Sequence, residues 1–183
     1  TLSEGDRAGG VLQQSSEHFE FKPSRSRSSV LGFMRALTEA TQQDAAQLPV
    51  SDSSLLRDSW QRLRRVTESG TQVFIISDFR QTTAAALQQL AMIHRQASIT
   101  LVMVRDPLED QLPPQGVLRV TDGKRSLWVN LKQKMWRRDY HERQRQVQVS
   151  LQEFARKQRI PLIQLSTSDS TNERLLKLVR GMR

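Results

Sequence analysis

Two short apolar runs constrain the fold of this chain more than any other feature: "VFIIS" at 73–77, which leads into Asp78, and "ITLVMVR" at 99–105, which leads into Asp106. Each is strand-sized and rich in β-branched residues. Between them lies a helical pattern with Leu87, Leu90, Ala91 and His94 on one stripe, running to about 97. Strand, helix and strand in succession predict an α/β protein with a parallel sheet. A run apolar on both faces predicts a strand covered on both faces, and in such sheets ligands sit outside the carboxyl ends of the strands. Asp78 and Asp106 stand at such ends, as does Asp169 after "IPLIQLSTS". Two roles are open to Asp78: with Ser77 it caps the following helix or shapes the turn before it, or it belongs to a ligand site.

The other segments fit the same plan. A hairpin is expected from a strand at about 8–13 and "EHFEFK", with Phe19 and Phe21 on one face. A helix comes next over about 28–43, with Val30, Phe33, Met34 and Leu37 as its apolar stripe. A second helix directs Leu55, Leu56, Ser59, Leu63 and Val66 inward; Ser51, Asp52 or Ser53 can cap it, and Gly70 closes it. "GVLRVTDGKRSLWVNL" predicts a hairpin near 117–130 turning at Asp122-Gly123, an insertion in the α/β pattern. The longest helix spans about 133–158, with Trp136, Tyr140, Val147, Leu151 and Phe154 facing the core, and the two aromatics are expected to be buried. A last strand and a terminal helix, "TNERLLKLVRGM", complete the chain.

At 183 residues the expectation is a single domain over 1–183. No run approaches the roughly 20 apolar residues of a membrane span. A cytoplasmic location is expected, with membrane association only through an upstream anchor in a longer form. The absence of cysteine excludes disulfides, thiolate metal sites and cysteine nucleophiles. His18, His94 and His141 are isolated in sequence, and no motif sets one beside a nucleophile and a carboxylate. For His94, on a core-facing stripe, a satisfied packing role is expected. "AGG" has neither the phosphate-loop nor the dinucleotide spacing. Hard cations take oxygen ligands, and Ser51, Ser53, Ser77 and Asp78 are candidates, although serine and aspartate at such places more often cap and turn.

Lys plus Arg number 28 against 19 Asp plus Glu, a formal charge of +9 that favours acidic partners. The densest basic stretch, "KQKMWRRDYHERQR", offers Arg137, Arg138, Arg143 and Arg145 as a surface for nucleic acid. The competing reading is a solvated or protein-binding face with Arg138–Glu142 and Asp139–Arg143 pairs, and it is favoured over nucleic acid.

The segments "EGDRAGGVLQ", "VFIISDF", "ITLVMVRDPLEDQLPPQG" and "RRDYHERQRQVQVSLQEFARKQRIPLIQLST" resemble the carboxyl-terminal part of bacterial domain of unknown function 58 proteins. These look like variants of the von Willebrand factor A fold, so the resemblance implies a Rossmann-like, mostly parallel sheet flanked by helices. In that fold a metal site draws on an Asp-x-Ser-x-Ser loop, a threonine from a second loop and a later aspartate. By the resemblance Asp78 matches the last position, and Ser51 or Ser53 stands where the threonine would be. The Asp-x-Ser-x-Ser motif is absent, so the domain looks as if it lacks its first strand and helix, and Mg²⁺ is expected only where that upstream motif is present. The resemblance implies a non-enzymatic adaptor working with a MoxR-type AAA+ ATPase, through a protein-binding face at Ser53, Asp78 and Asp106. It implies no catalytic residue, and a metal-dependent hydrolase built on Asp78 and Asp106 ranks last.

Overall fold

The computed structural model describes residues 5–14, 18–42, 53–110, 112–113, 115–121, 126–132 and 134–168. Ser51, Asp52, the Asp122-Gly123 turn, Asp169 and the expected terminal helix lie outside the described residues. In chain order the elements are β1 (Ala8–Gln13), β2 (His18–Ser24), α1 (Arg27–Gln42), α2 (Ser53–Val66), β3 (Gln72–Ser77), α3 (Ala84–His94), β4 (Ser98–Arg105), α4 (Pro107–Asp110), β5 (Val117–Thr121), β6 (Ser126–Asn130), α5 (Lys134–Gln158) and β7 (Leu162–Ser166). They fall into two compact units, the first made of Thr1–Ser69, Gln81–Gln96 and Arg119–Trp128 and the second of Gly70–Arg80, Ala97–Leu118 and Val129–Arg183.

In the first unit β1 and β2 pair antiparallel, with Leu12 opposite Phe19 and Gly10 opposite Phe21. Helix α1 lies on this hairpin through Phe33, whose ring sits 4.9 Å from that of Phe21. A Cβ on Gly10 would come within 2.5 Å of the Phe33 ring, so the absence of a side chain at Gly10 is what lets the ring in. Met34 and Leu37, expected on the inward stripe of α1, are exposed, and no residue of this helix is buried. The half-buried side of α1 runs through Val30, Phe33, Ala36 and Ala40, where small alanines take the places nearest the hairpin and the bulkier Met34 and Leu37 are turned outward. Helix α2 packs on α3. Gln96 ties their ends together, donating from Nε2 to the carbonyls of Arg64 and Thr67, each at 3.1 Å. On α3 the buried line is Ala86, Leu90 and Ile93, one residue off the expected stripe of Leu87, Leu90, Ala91 and His94.

The second unit holds a parallel sheet in the order β3-β4-β7. Ile75 pairs with Leu101 and Leu101 with Leu162, so the three strands end at one edge. Central β4 is buried from Ile99 to Met103, as an apolar run inside a parallel sheet should be. On β3 the expectation of burial on both faces fails. Val73 and Ile75 are buried, whereas Phe74 is 52% and Ile76 69% exposed. β3 is an edge strand of the described sheet, and one of its faces is uncovered. Along α5, Leu151 and Ala155 are buried, whereas Trp136, Tyr140, Val147 and Phe154 are half-buried. Trp136 and Tyr140 stack on each other with centroids 5.6 Å apart, which shields ring area that the core does not take.

The β5–β6 pair is the inserted hairpin expected near 117–130, closed at its base by Leu131 N–H donating to the Gly116 carbonyl at 2.9 Å. The α/β class, the parallel sheet and the insertion are therefore those of a von Willebrand factor A-like arrangement.

Candidate functional site

The carboxyl-terminal edge of the β3-β4-β7 sheet is where the fold gathers polar side chains. β3 delivers Ser77 and Asp78, β4 delivers Arg105 and Asp106, and β7 delivers Ser166, Thr167 and Ser168.

The turn after β3 is held by its own side chains. Phe79 N–H donates to Ser77 Oγ at 3.1 Å, and Arg80 N–H donates to Asp78 Oδ1 at 3.1 Å. The Arg80 guanidinium lies 3.7 Å from Asp78 Oδ2. Phe79 between them adopts φ +56° and is fully buried. An aromatic residue in the left-handed region carries strain, offset here by the burial of its ring and by the Ser77 bond. Asp78 thus shapes the turn before α3. The cap of α3 is Thr83 rather than Ser77 or Asp78: its backbone is extended and its Oγ1 accepts from Ala86 N–H at 3.2 Å. The Thr-Ala-Ala-Ala-Leu run is the sequence signal that points to it.

At β4, Asp106 Oδ1 accepts from Leu108 N–H at 2.8 Å, opening α4, and its Oδ2 accepts from Thr167 Oγ1 at 3.3 Å. Thr167 N–H in turn donates to the Arg105 carbonyl at 2.9 Å. Thr167, which no sequence pattern singles out, locks the β4 and β7 loops together. Arg105 reaches the other way, donating to Gln148 Oε1 on α5 at 2.8 Å, and Gln148 donates to Gln164 on β7 at 3.4 Å. The edge is therefore a set of short loops fixed by mutual hydrogen bonds, with the Asp78 carboxylate 54% exposed at the rim.

Ser53 opens α2, and its side chain lies outside the described residues, as Ser51 does wholly. The described part of the metal site implied by the resemblance reduces to one carboxylate, Asp78, already engaged by Arg80. Mg²⁺ takes about six oxygens in near-octahedral array. Among the described residues no group of three or more His, Asp or Glu side chains is placed to hold a metal ion. The described residues do not fit that ion. His18 is exposed, and His141 meets Tyr140 edge-on at 5.8 Å. His94 Nδ1 is buried with no partner among the described residues, contrary to the satisfied role expected of it.

The basic stretch of α5 does not form one stripe. At about 100° per residue, Arg138 and Arg145 share a side with Glu142 between them, and Arg143 stands about 140° away from Arg138. Arg137 is half-buried, with its Nε enclosed and unpartnered among the described residues. Neither expected ion pair forms among the described residues; Glu142 accepts from Gln146 instead, at 3.3 Å. Both pairs would join exposed side chains, and holding two long chains in one geometry there gains little. No described helix is long and apolar enough to cross a membrane.

Residues 1–150 match the family model described as protein of unknown function DUF58. The crystal structure of conserved hypothetical protein BatB from Bacteroides thetaiotaomicron superimposes with a TM-score of 0.56 at 12% identity, covering 99% of this chain and 82% of that one. At that identity the likeness concerns the fold alone. None of the curated proteins matches the chain.

Proposed function

We propose a docking role for this chain from one premise: it belongs to the family of proteins of unknown function DUF58. On this reading it is a non-enzymatic adaptor whose strand-end face, centred on Asp78 and Asp106, binds a protein; the side chain of Ser53, also expected to take part, lies outside the described residues. The observation that carries the reading is the fixed geometry of that edge. Ser77, Asp78, Asp106 and Thr167 spend their hydrogen bonds on holding loops in place. A surface ordered before it meets its partner loses less entropy on association. A MoxR-type AAA+ ATPase is the partner class proposed, on the strength of the family resemblance.

Calorimetric titration of a MoxR-type ATPase with the chain tests this. Saturable binding is expected, weakened about tenfold (~1.4 kcal/mol) by combined Asp78→Ala and Asp106→Ala substitution. An unchanged affinity in the double variant would remove the face from the account. Chelation with EDTA is expected to leave the affinity unchanged, since the proposed contact does not route through a cation. Affinity is also expected to fall gently with salt; a slope of several counterions would instead indicate phosphate contacts and the basic helix.

A further inference from the structure

We propose that Met92 is a modification site: a peroxide oxidises its thioether, and the sulfoxide formed fastens α3 to α2 through Arg64. The chain has no cysteine, so the thiolates that ordinarily meet peroxides are absent and thioether sulfur is what remains to react. Among the described methionines, Met103 is 2% exposed inside β4, whereas Met92 is 41% exposed and Met34 and Met135 are more exposed still. Accessibility thus excludes Met103 and does not single out Met92. Its surroundings do. Arg64, in the last turn of α2, donates from Nη1 to Met92 Sδ at 2.8 Å, and among the described residues this is the sulfur that accepts a hydrogen bond. Four residues further on, Gln96 donates to the Arg64 and Thr67 carbonyls. Guanidinium and thioether therefore meet beside a tie that already joins the ends of the two helices.

The chemistry follows from that pairing. A thioether is a weak acceptor, so the contact with Arg64 gains little as it stands. Sulfur has two lone pairs; the guanidinium takes one, and the other attacks the near oxygen of hydrogen peroxide. The S–O bond forms as the O–O bond breaks, sulfur gives up two electrons, and the departing hydroxide takes the proton of the sulfur-bound oxygen and leaves as water. The sulfoxide oxygen carries much of a negative charge, and Arg64 then makes a charge-assisted hydrogen bond in place of a weak one. The arginine stem is long and flexible, so it can draw back by the length of the added bond while both helices stay in place. Methionine oxidation ordinarily disrupts the packing around it. At Met92 the new oxygen meets a cationic donor, and the change is a gain.

The test is mild treatment of the whole chain with hydrogen peroxide, with peptide mass spectrometry to locate the sulfoxides and the melting temperature to read their effect. Met92 is expected to be oxidised along with Met34 and Met135, and Met103 to be protected. Met92→Leu, which keeps the volume, is expected to fold like the parent. Oxidation at Met34 and Met135 is common to both chains, so the difference between them isolates Met92. The change in melting temperature on oxidation is expected to be about 2–4 °C more positive in the parent than in Met92→Leu. Arg64→Ala is expected to be oxidised at Met92 and to lose that difference, since the sulfoxide has no donor. Met92→Gln, which sets an amide oxygen near the place of the sulfoxide oxygen, is expected to melt above Met92→Leu before any peroxide is added. Should Arg64→Ala fail to fold, the two Met92 variants decide. A Met92 that stays reduced while Met34 and Met135 are oxidised, or a parent whose melting temperature changes no more favourably than that of Met92→Leu, would overturn the proposal.

Discussion

The two hairpins of this molecule are built from similar β-forming residues and end in opposite conditions. In β1–β2 a helix places Phe33 against Phe21 over Gly10, and α2 adds Ser59, which hydrogen-bonds to Gln13. In β5–β6 the buried residues among those described are Val129 and, just after the strand, Leu131, while Leu127 and Trp128 face water. The difference lies in the segment of chain that comes after each hairpin. Phe33 arrives nine residues after Ser24 on a helix that can fold back, and Gly10 leaves room for its ring. β6 runs within a few residues into α5, whose buried line is Leu151 and Ala155, far along the helix from its start. A hairpin that buries its rings under a helix adds to the stability of the fold; one whose large apolar side chains face water adds less.

Substitutions can break this contrast. The largest effect is expected from Gly9→Ala, because the added Cβ would meet the Phe21 carbonyl oxygen at 2.5 Å and the Pro23 nitrogen at 2.7 Å. Backbone cannot yield there without opening the β1–β2 ladder, so about 3 kcal/mol of stability should be lost in chemical denaturation. Phe33→Ala comes next, at about 2 kcal/mol, less than a fully buried phenylalanine because the ring is only half-buried. Trp128→Ser should change stability by no more than about 0.5 kcal/mol, the range of surface substitutions. A loss as large as that of Phe33→Ala would show that β5–β6 is covered after all and would erase the contrast.

Much of this fold was legible because periodicity reports it directly. The runs at 73–77 and 99–105, the second helix and the inserted hairpin strands all lie where their patterns put them, although that helix ends at Val66, short of the Gly70 expected to close it. Periodicity does not report what covers a face. Phe74 and Ile76 read as core, and their exposure depends on neighbours that no local pattern names. The same limit explains Met34 and Leu37 on α1 and the half-buried Trp136 and Tyr140. On α3 the sequence stripe is off by one residue because small Ala86 carries little hydrophobic signal beside Leu87, yet it is Ala86 that is fully buried. At the strand-end edge the aspartates were legible by position. Thr83 had a signal in the Thr-Ala-Ala-Ala-Leu run that the two aspartates overshadowed, and Thr167 had none, since a hydroxyl's role depends on the carboxylate that happens to face it.

Hydrogen exchange, followed segment by segment on the free chain and with the MoxR-type ATPase added, tests the account most directly. Amides of β1–β2 are expected to exchange more slowly than those of β5–β6 in the free chain, and the ATPase is expected to slow residues 77–81 and 105–108 while leaving β1–β2 unchanged. Equal exchange in the two hairpins, or an ATPase that leaves the strand-end loops as they were, would contradict it.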